Sequence, residues 1–201
     1  MSDRLVILLH GVGSNGADLA GLGNVWAEAL PNTAFAAPDG PDRFNAGFQW
    51  FSIAGVTEDN RPARVEAARP AFDAILTRII AEHGFADRLD RVALVGFSQG
   101  SIMALDALAS GRWAVGAIVA FAGRLASPAP LSPALGTPLL LVHGDADRVM
   151  PVAESSKAAT ALSALGVRTE TLVLPGVGHT ISGDGAASAA AFLVKTLVRT
   201  S

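Results

Sequence analysis

Six short runs rich in apolar and β-branched residues recur along the chain, at 5–9, 34–37, 92–95, 117–121, 139–142 and 170–174. Between them the period lengthens. Val65, Ala68, Phe72, Ile75 and Ile79 share one helical stripe, Ile102, Leu105 and Leu108 a second, and Ala187, Ala190, Val194 and Leu197 a third. Each stripe is predicted to face the core. Strands alternating with helices predict an α/β chain: a mostly parallel twisted sheet of about six or seven strands with helices on both faces. Pro70 interrupts the helical pattern between residues 62 and 83, so a kink or a break into two helices is expected there. Residues 38–61 and 123–138 show no period and are expected to be functional loops or lids.

Composition narrows the class. The 201 residues fit one domain, 1–201, whose core needs no disulfide, metal or obligatory partner. Half the residues are hydrophobic and 16% charged, with 21 Gly and 11 Pro, which excludes a disordered or fibrous chain. The net charge is −3 and Lys and Arg are scattered singly, so no basic stripe offers itself to nucleic acid. Cysteine is absent, which removes disulfides, thiolate metal sites and a Cys nucleophile, and suits a reducing compartment. From Met1 the chain runs straight into its first strand, with no basic leader, no cleavage site and no apolar run of about 18 residues. A cytoplasmic protein without integral membrane association is expected, as a monomer or homodimer.

The strongest local signal is Gly96-Phe97-Ser98-Gln99-Gly100, set between a predicted strand and a predicted helix. It has the form of a nucleophile elbow, in which a strained turn lifts the serine Oγ above the sheet and the flanking glycines avoid neighbouring backbone. The pentapeptide alone is weak; its position gives it weight.

A serine nucleophile needs a base. His10 and His143 each end a strand just before Gly, and His83 precedes Gly84 at a helix end; for these a capping or surface role is expected. His179 remains, in the glycine-rich loop between the last strand and the last helix. The orienting acid should lie between Ser and His in chain order, at a strand end. His143-Gly-Asp-Ala-Asp147 offers Asp145 and Asp147; Asp147 lies further out along the loop, whereas Asp145 is placed to tie down a turn. Spacing leaves both open. For an oxyanion hole, the backbone NH groups of Gln99 and Val12 are expected to donate, Val12 from the glycine-flanked loop after the first strand.

That loop also spells Gly11-x-Gly13-x-x-Gly16, with Asp39 beyond the next strand, the outline of a dinucleotide-binding fingerprint. A nicotinamide-binding module is therefore a rival, although it leaves the serine elbow, the His-Gly-Asp-x-Asp loop and the Gly-His loop unexplained.

Taken together, Leu9-His-Gly-Val-Gly13, Pro38-Asp-Gly-Pro41, Gln49-Trp-Phe51, the elbow, His143-Gly-Asp-x-Asp147 and Gly178-His179 resemble the bacterial carboxylesterase and phospholipase family that includes the acyl-protein thioesterases, over essentially the whole chain. The segment 49–64 looks most like a small bacterial esterase branch, with Ser52 where the family often has Asp. The resemblance implies an α/β-hydrolase fold without a large cap domain, Ser98 as nucleophile, His179 as base and Asp147, rather than Asp145, as the acid. It also implies that the Trp50 loop borders the acyl pocket.

Trp50, Phe51, Met150 and Ile181, apolar residues on loops or loop edges, are the expected pocket walls. The function expected is serine carboxylesterase action on small or medium acyl esters through an acyl-enzyme on Ser98, with no metal and no organic cofactor. A thioesterase or lysophospholipase acting on acylated protein, acyl-CoA or lysolipid is the alternative. A non-catalytic module of the same fold is a more remote one.

Overall fold

All six predicted strands form, and one parallel sheet holds them. The computed structural model describes residues 2–198; Met1 and residues 199–201 of the expected domain lie outside the described residues. In chain order the elements are β1 (Arg4–Leu9), α1 (Gly16–Trp26), β2 (Thr33–Ala36), β3 (Asp42–Phe44), β4 (Gly47–Gln49), α2 (Arg61–Glu82), β5 (Val92–Phe97), α3 (Gln99–Ala109), β6 (Ala117–Phe121), β7 (Leu139–Gly144), α4 (Ala153–Ala164), β8 (Thr169–Leu174) and α5 (Gly183–Leu193).

The sheet order is β2-β1-β5-β6-β7-β8. From β1 the chain steps outward to β2, then returns to place β5 on the other side of β1. The order reverses between β1 and β5, and in open parallel sheets ligands bind beyond the strand ends at such a switch point.

Helices cover both faces, so the central strands are apolar on consecutive positions. Leu5, Ile7 and Leu9 of β1 join the core under α2, α3 and α4, whereas Val6 and Leu8 join the core under α1 and α5. No helix among the described residues is long and apolar enough to cross a membrane.

Three expectations change. First, α2 runs unbroken through Pro70. Val65 before the proline and Phe72, Leu76, Ile79 and Ile80 after it are all buried, and two ion pairs bracket it. Arg69 makes a bidentate pair with Asp106 at 2.9 Å, and Asp73 accepts from Arg112 at 2.9 and 3.1 Å. Both halves are thus fastened to α3 and the turn after it, and tertiary contacts override the local cost of the proline.

Second, the aperiodic segment 38–61 contains an antiparallel hairpin, β3–β4, whose strands of three residues each are too short for a period to register. Third, α5 buries Ala186, Ala189, Ala190 and Leu193, while Ala187 is exposed. In a helix this rich in alanine, composition does not mark one face. Residues 123–138 form neither helix nor strand.

α3 is buried at all eleven positions, not along a single stripe. It has no side-chain cap and no first-turn acid; burial holds it, at roughly 1.5–3 kcal/mol for each of Ile102, Leu105 and Leu108. Its one acid, Asp106, is fully buried and also accepts from Arg112 at 2.9 Å. Burial pushes this carboxyl upward, but Arg69 and Arg112 outweigh it, and the net shift is below the usual value.

Removing one partner of a buried pair strands the other's charge. Asp106→Ala is expected to cost about 3–5 kcal/mol of unfolding free energy. Because the folded carboxyl titrates lower than the unfolded one, its stabilisation is present above the ordinary Asp range and fades as pH falls through the lowered value. Chemical denaturation of the parent and Asp106→Ala proteins from pH 7 down to pH 3 checks this: the stability gap between them should shrink with acid.

Candidate active site

The predicted elbow forms at the switch point. Ser98 sits between β5 and α3 with φ 53° and ψ −112°, in a region that L-residues rarely occupy. Its neighbours require glycine. A Cβ on Gly100 would stand 2.1 Å from the Leu9 carbonyl oxygen, and one on Gly96 2.4 Å from the Ser101 nitrogen. The start of α3 therefore presses against the end of β1. The Ser98 N–H donates to the Phe121 carbonyl at 3.0 Å, which anchors the turn to the next strand.

Three side chains meet above the sheet from the ends of β5, β7 and β8. His179 Nε2 lies 3.0 Å from Ser98 Oγ, and its Nδ1 lies 2.7 Å from Asp147 Oδ2. The other carboxylate oxygen, Oδ1, accepts from the Val149 and Met150 amides at 2.8 Å each. Burial raises the Asp147 carboxyl; the Met150 amide, His179 and the Val149 amide outweigh it and hold it below the usual carboxylate value. Asp147 therefore stays ionised at neutral pH.

Asp145 has different work. Its side chain accepts from the Gly176 amide at 2.7 Å, whereas the carboxylate bonded to His179 is that of Asp147. With the Ala146 N–H donating to Val177 O at 3.0 Å, it ties the His179 loop to the Asp147 loop. Gly144 permits that approach, since a Cβ there would lie 2.0 Å from the Val177 oxygen.

Among the described residues, neither the Val12 nor the Gln99 backbone N–H has an intramolecular acceptor. Gln99 follows Ser98 directly, and Gly11, the residue before Val12, comes close to the serine: a Cβ on Gly11 would stand 3.3 Å from Ser98 Cβ, beyond strand ends paired at Leu9 and Gly96. The dinucleotide reading fails on the same loop. The hairpin lies across it, with Gly13 N–H donating to Phe48 O and Phe48 N–H to Ser14 O, both at 2.8 Å. Asp39, the would-be ribose ligand, accepts from the Gly16 amide at 2.8 Å.

The four expected wall residues are not gathered into one wall. Trp50 lies beneath the site, 1% exposed, with its ring against Phe72 and His10. Phe51 and Met150 are just accessible on the α2 and α4 side. Ile181 faces the other way, into an apolar groove between α1 and α5 that it shares with Leu22 and Val25.

Two of the histidines expected in capping or surface roles are internal supports. His143 is buried; its ring lies 2.6 Å from Ser155 Oγ and 2.8 Å from the Met150 carbonyl, bracing the Asp147 loop. His10 is wholly buried under the Val12 loop. The available signal was the shared Leu/Val-His-Gly run at the ends of β1 and β7, where the histidine continues the line of a buried strand. His83 is the helix-end cap expected, its ring 2.8 Å from the Ile79 carbonyl.

The sequence profile of a family described as Phospholipase/Carboxylesterase matches residues 2–197. The chain belongs to the phospholipase/carboxylesterase family. Among relatives within it, "Esterase YpfH" of Escherichia coli (strain K12) is 35% identical over 182 residues, covering 90% of this chain and 77% of its own. "Acyl-protein thioesterase 1 homolog 1" of Dictyostelium discoideum is 26% identical over 96% of this chain and 90% of its own. The solved structure of esterase PE8 superposes with a TM-score of 0.87 at 38% identity, covering 98% of this chain and 94% of that one. This family's fold, the α/β-hydrolase fold without a large cap domain, is the one seen here.

The contrast between the two aspartates gives a direct test. Asp147→Asn should lower kcat by about 10⁴-fold, because the amide no longer selects the productive imidazole tautomer. Asp145→Asn should leave kcat within about threefold and cost about 1 kcal/mol of stability through the weakened Gly176 bond. Steady-state kinetics and thermal unfolding of the two variants check both, and the reverse pattern would move the acid two residues back.

Proposed function

We propose that the protein is a serine carboxylesterase that hydrolyses small or medium acyl esters through an acyl-enzyme on Ser98. The observation that carries this reading is the unbroken chain of contacts from Ser98 Oγ through His179 to Asp147, at 3.0 and 2.7 Å, in a member of an esterase family.

His179 Nε2 takes the Ser98 proton as Oγ attacks the ester carbonyl, and the ionised Asp147 stabilises the imidazolium through Nδ1–H. The Val12 and Gln99 N–H groups meet the developing oxyanion; each such donor is worth about 10²–10³ in turnover. As the tetrahedral intermediate collapses, His179 gives its proton to the leaving alkoxide, and the alcohol departs. Water, deprotonated by the same nitrogen, then attacks the acyl-enzyme, and the acid leaves with Ser98 restored.

Small or medium acyl groups are supported by the rim on the α4 side. Met150 follows the Asp147 loop, and Arg124 Nε donates to its sulfur at 2.9 Å while pairing with Glu154 at 3.4 Å. An acyl chain passing Met150 meets this half-buried ion pair rather than an apolar tunnel, and burying methylenes against charge forfeits roughly 0.8 kcal/mol per group. In this reading Phe51 and Met150, the two expected wall residues that stay slightly accessible on that side, border the acyl group. Thioesterases among the relatives make a thiol leaving group the alternative, and no contact in the site favours it.

A fluorophosphonate probe should label Ser98 stoichiometrically, and Ser98→Ala should abolish both labelling and turnover. Paired oxygen and thiol esters of two to sixteen carbons should give kcat/KM values that peak at short or medium chains and favour oxygen esters. Replacing the rim pair, Arg124→Leu with Glu154→Leu, should move that peak to longer chains. A maximum at the longest thioester in the parent enzyme would overturn the carboxylesterase reading in favour of the thioesterase one.

A further inference from the structure

The ring of His10 follows directly on β1, is wholly buried, and takes no part in the proton transfers. Both of its nitrogens have backbone partners. Nε2 lies 2.8 Å from the Gly40 amide nitrogen, which can only donate, so Nε2 accepts. A neutral imidazole then carries its proton on the other nitrogen. Nδ1 lies 2.7 Å from the Gly11 carbonyl oxygen, which can only accept. The two contacts select one tautomer, protonated at Nδ1.

The Gly11 carbonyl and the Val12 N–H belong to one planar peptide unit and point in opposite directions. Whatever holds that oxygen therefore aims that N–H. Between glycines at 11 and 13 the backbone resists rotation less than elsewhere, so the aim needs an external hold. A carbonyl that accepts a hydrogen bond also makes its own N–H a stronger donor, because bonds in a chain polarise one another.

We propose that His10 is a positioning residue for the reaction: its Nδ1–H locks the Gly11–Val12 peptide so that the Val12 N–H points at the oxyanion. The assignment rests on the reading of Ser98 as nucleophile and Val12 as donor. Trp50 extends the device to the second donor. Its indole Nε1–H donates to the His10 carbonyl at 2.8 Å, and its backbone N–H donates to Gln99 Oε1 at 2.8 Å. Gln99 Nε2–H in turn donates to the Phe51 carbonyl at 2.7 Å. One buried tryptophan thereby ties the residue bearing one oxyanion N–H to the histidine that aims the other.

The test compares His10→Asn, His10→Gln and His10→Ala. Asparagine places an amide N–H near the Nδ1 position; glutamine reaches the Nε2 position instead. His10→Asn is expected to retain kcat within about tenfold, whereas His10→Gln and His10→Ala should lose about 10²–10³-fold, the worth of one oxyanion donor, with KM for a short ester changed less than about threefold. Turnover would then follow the donor rather than the melting temperature. A kcat that falls in step with Tm across all three variants, or that survives better in glutamine than in asparagine, would overturn the proposal. The tautomer is read independently of any variant by ¹⁵N NMR of the parent enzyme, where Nδ1 must carry the proton; the opposite tautomer also overturns it. If the fluorophosphonate fails to label Ser98 in the parent enzyme, the nucleophile assignment itself falls, and the role of His10 with it. Labelling together with unchanged kcat in all three variants removes His10 alone.

Discussion

The structure turns on the contact between the first turn of α3 and the ends of β1 and β5. There Gly100 meets the Leu9 carbonyl with no room for a side chain, and Gly96 meets the Ser101 amide. Such an approach is only possible if the residue between strand and helix takes a backbone conformation that costs on the order of 1–3 kcal/mol. That residue is Ser98. The cost is offset by surroundings that leave no alternative, because α3 is enclosed on every side and the Ser98 amide is bound to β6. A helix start brought this close to β1 also presents the free Gln99 N–H beside the loop that carries the Val12 N–H. The proposed nucleophile and the proposed oxyanion donors are thus products of one packing constraint.

Asp147 and His179, the proposed acid and base, meet through a second close approach, between the loops after β7 and β8. Gly144 lets the chains touch, Asp145 fastens them, and His143 braces the acid loop from below. The carboxylate at the centre is fully satisfied by two amides and the imidazole. Full satisfaction makes burial of its charge tolerable and leaves the histidine ring one orientation. Two segments that look alike in sequence, each with His-Gly at the end of a buried strand, therefore give parallel support: His10 bonds the loop that bears Val12, and His143 the loop that bears Asp147.

Much of this was legible in the sequence. The strands announced themselves by uninterrupted apolar runs, and chain order with strand-end position placed Ser98, Asp147 and His179 where the structure brings them together. The rest needed tertiary information. The unbroken α2 could not be read past Pro70 because the ion pairs flanking the proline join residues 37 and 39 positions apart. The hairpin was invisible because its strands are shorter than any reliable period. Trp50 was expected as a pocket wall because the family resemblance sets its loop at the acyl pocket; its two N–H groups, bound to the Gln99 side chain and the His10 carbonyl, give it an internal place. Ile181 lies two residues from His179, yet the start of α5 turns it to the opposite face of the sheet.

His179, the proposed base, lies in the loop after the last strand of the sheet in chain order, and that strand, β8, lies at the sheet's edge. Its partner residues sit on β7, and 81 positions separate His179 from Ser98. Loop closure over such separations is slow and must precede the contact that rewards it. Until β8 docks on β7, the His179 loop is not held against the Asp147 loop, whatever the state of the elbow and of α3. Hydrolysis therefore depends on the seating of this edge strand as much as on the chemistry at the serine.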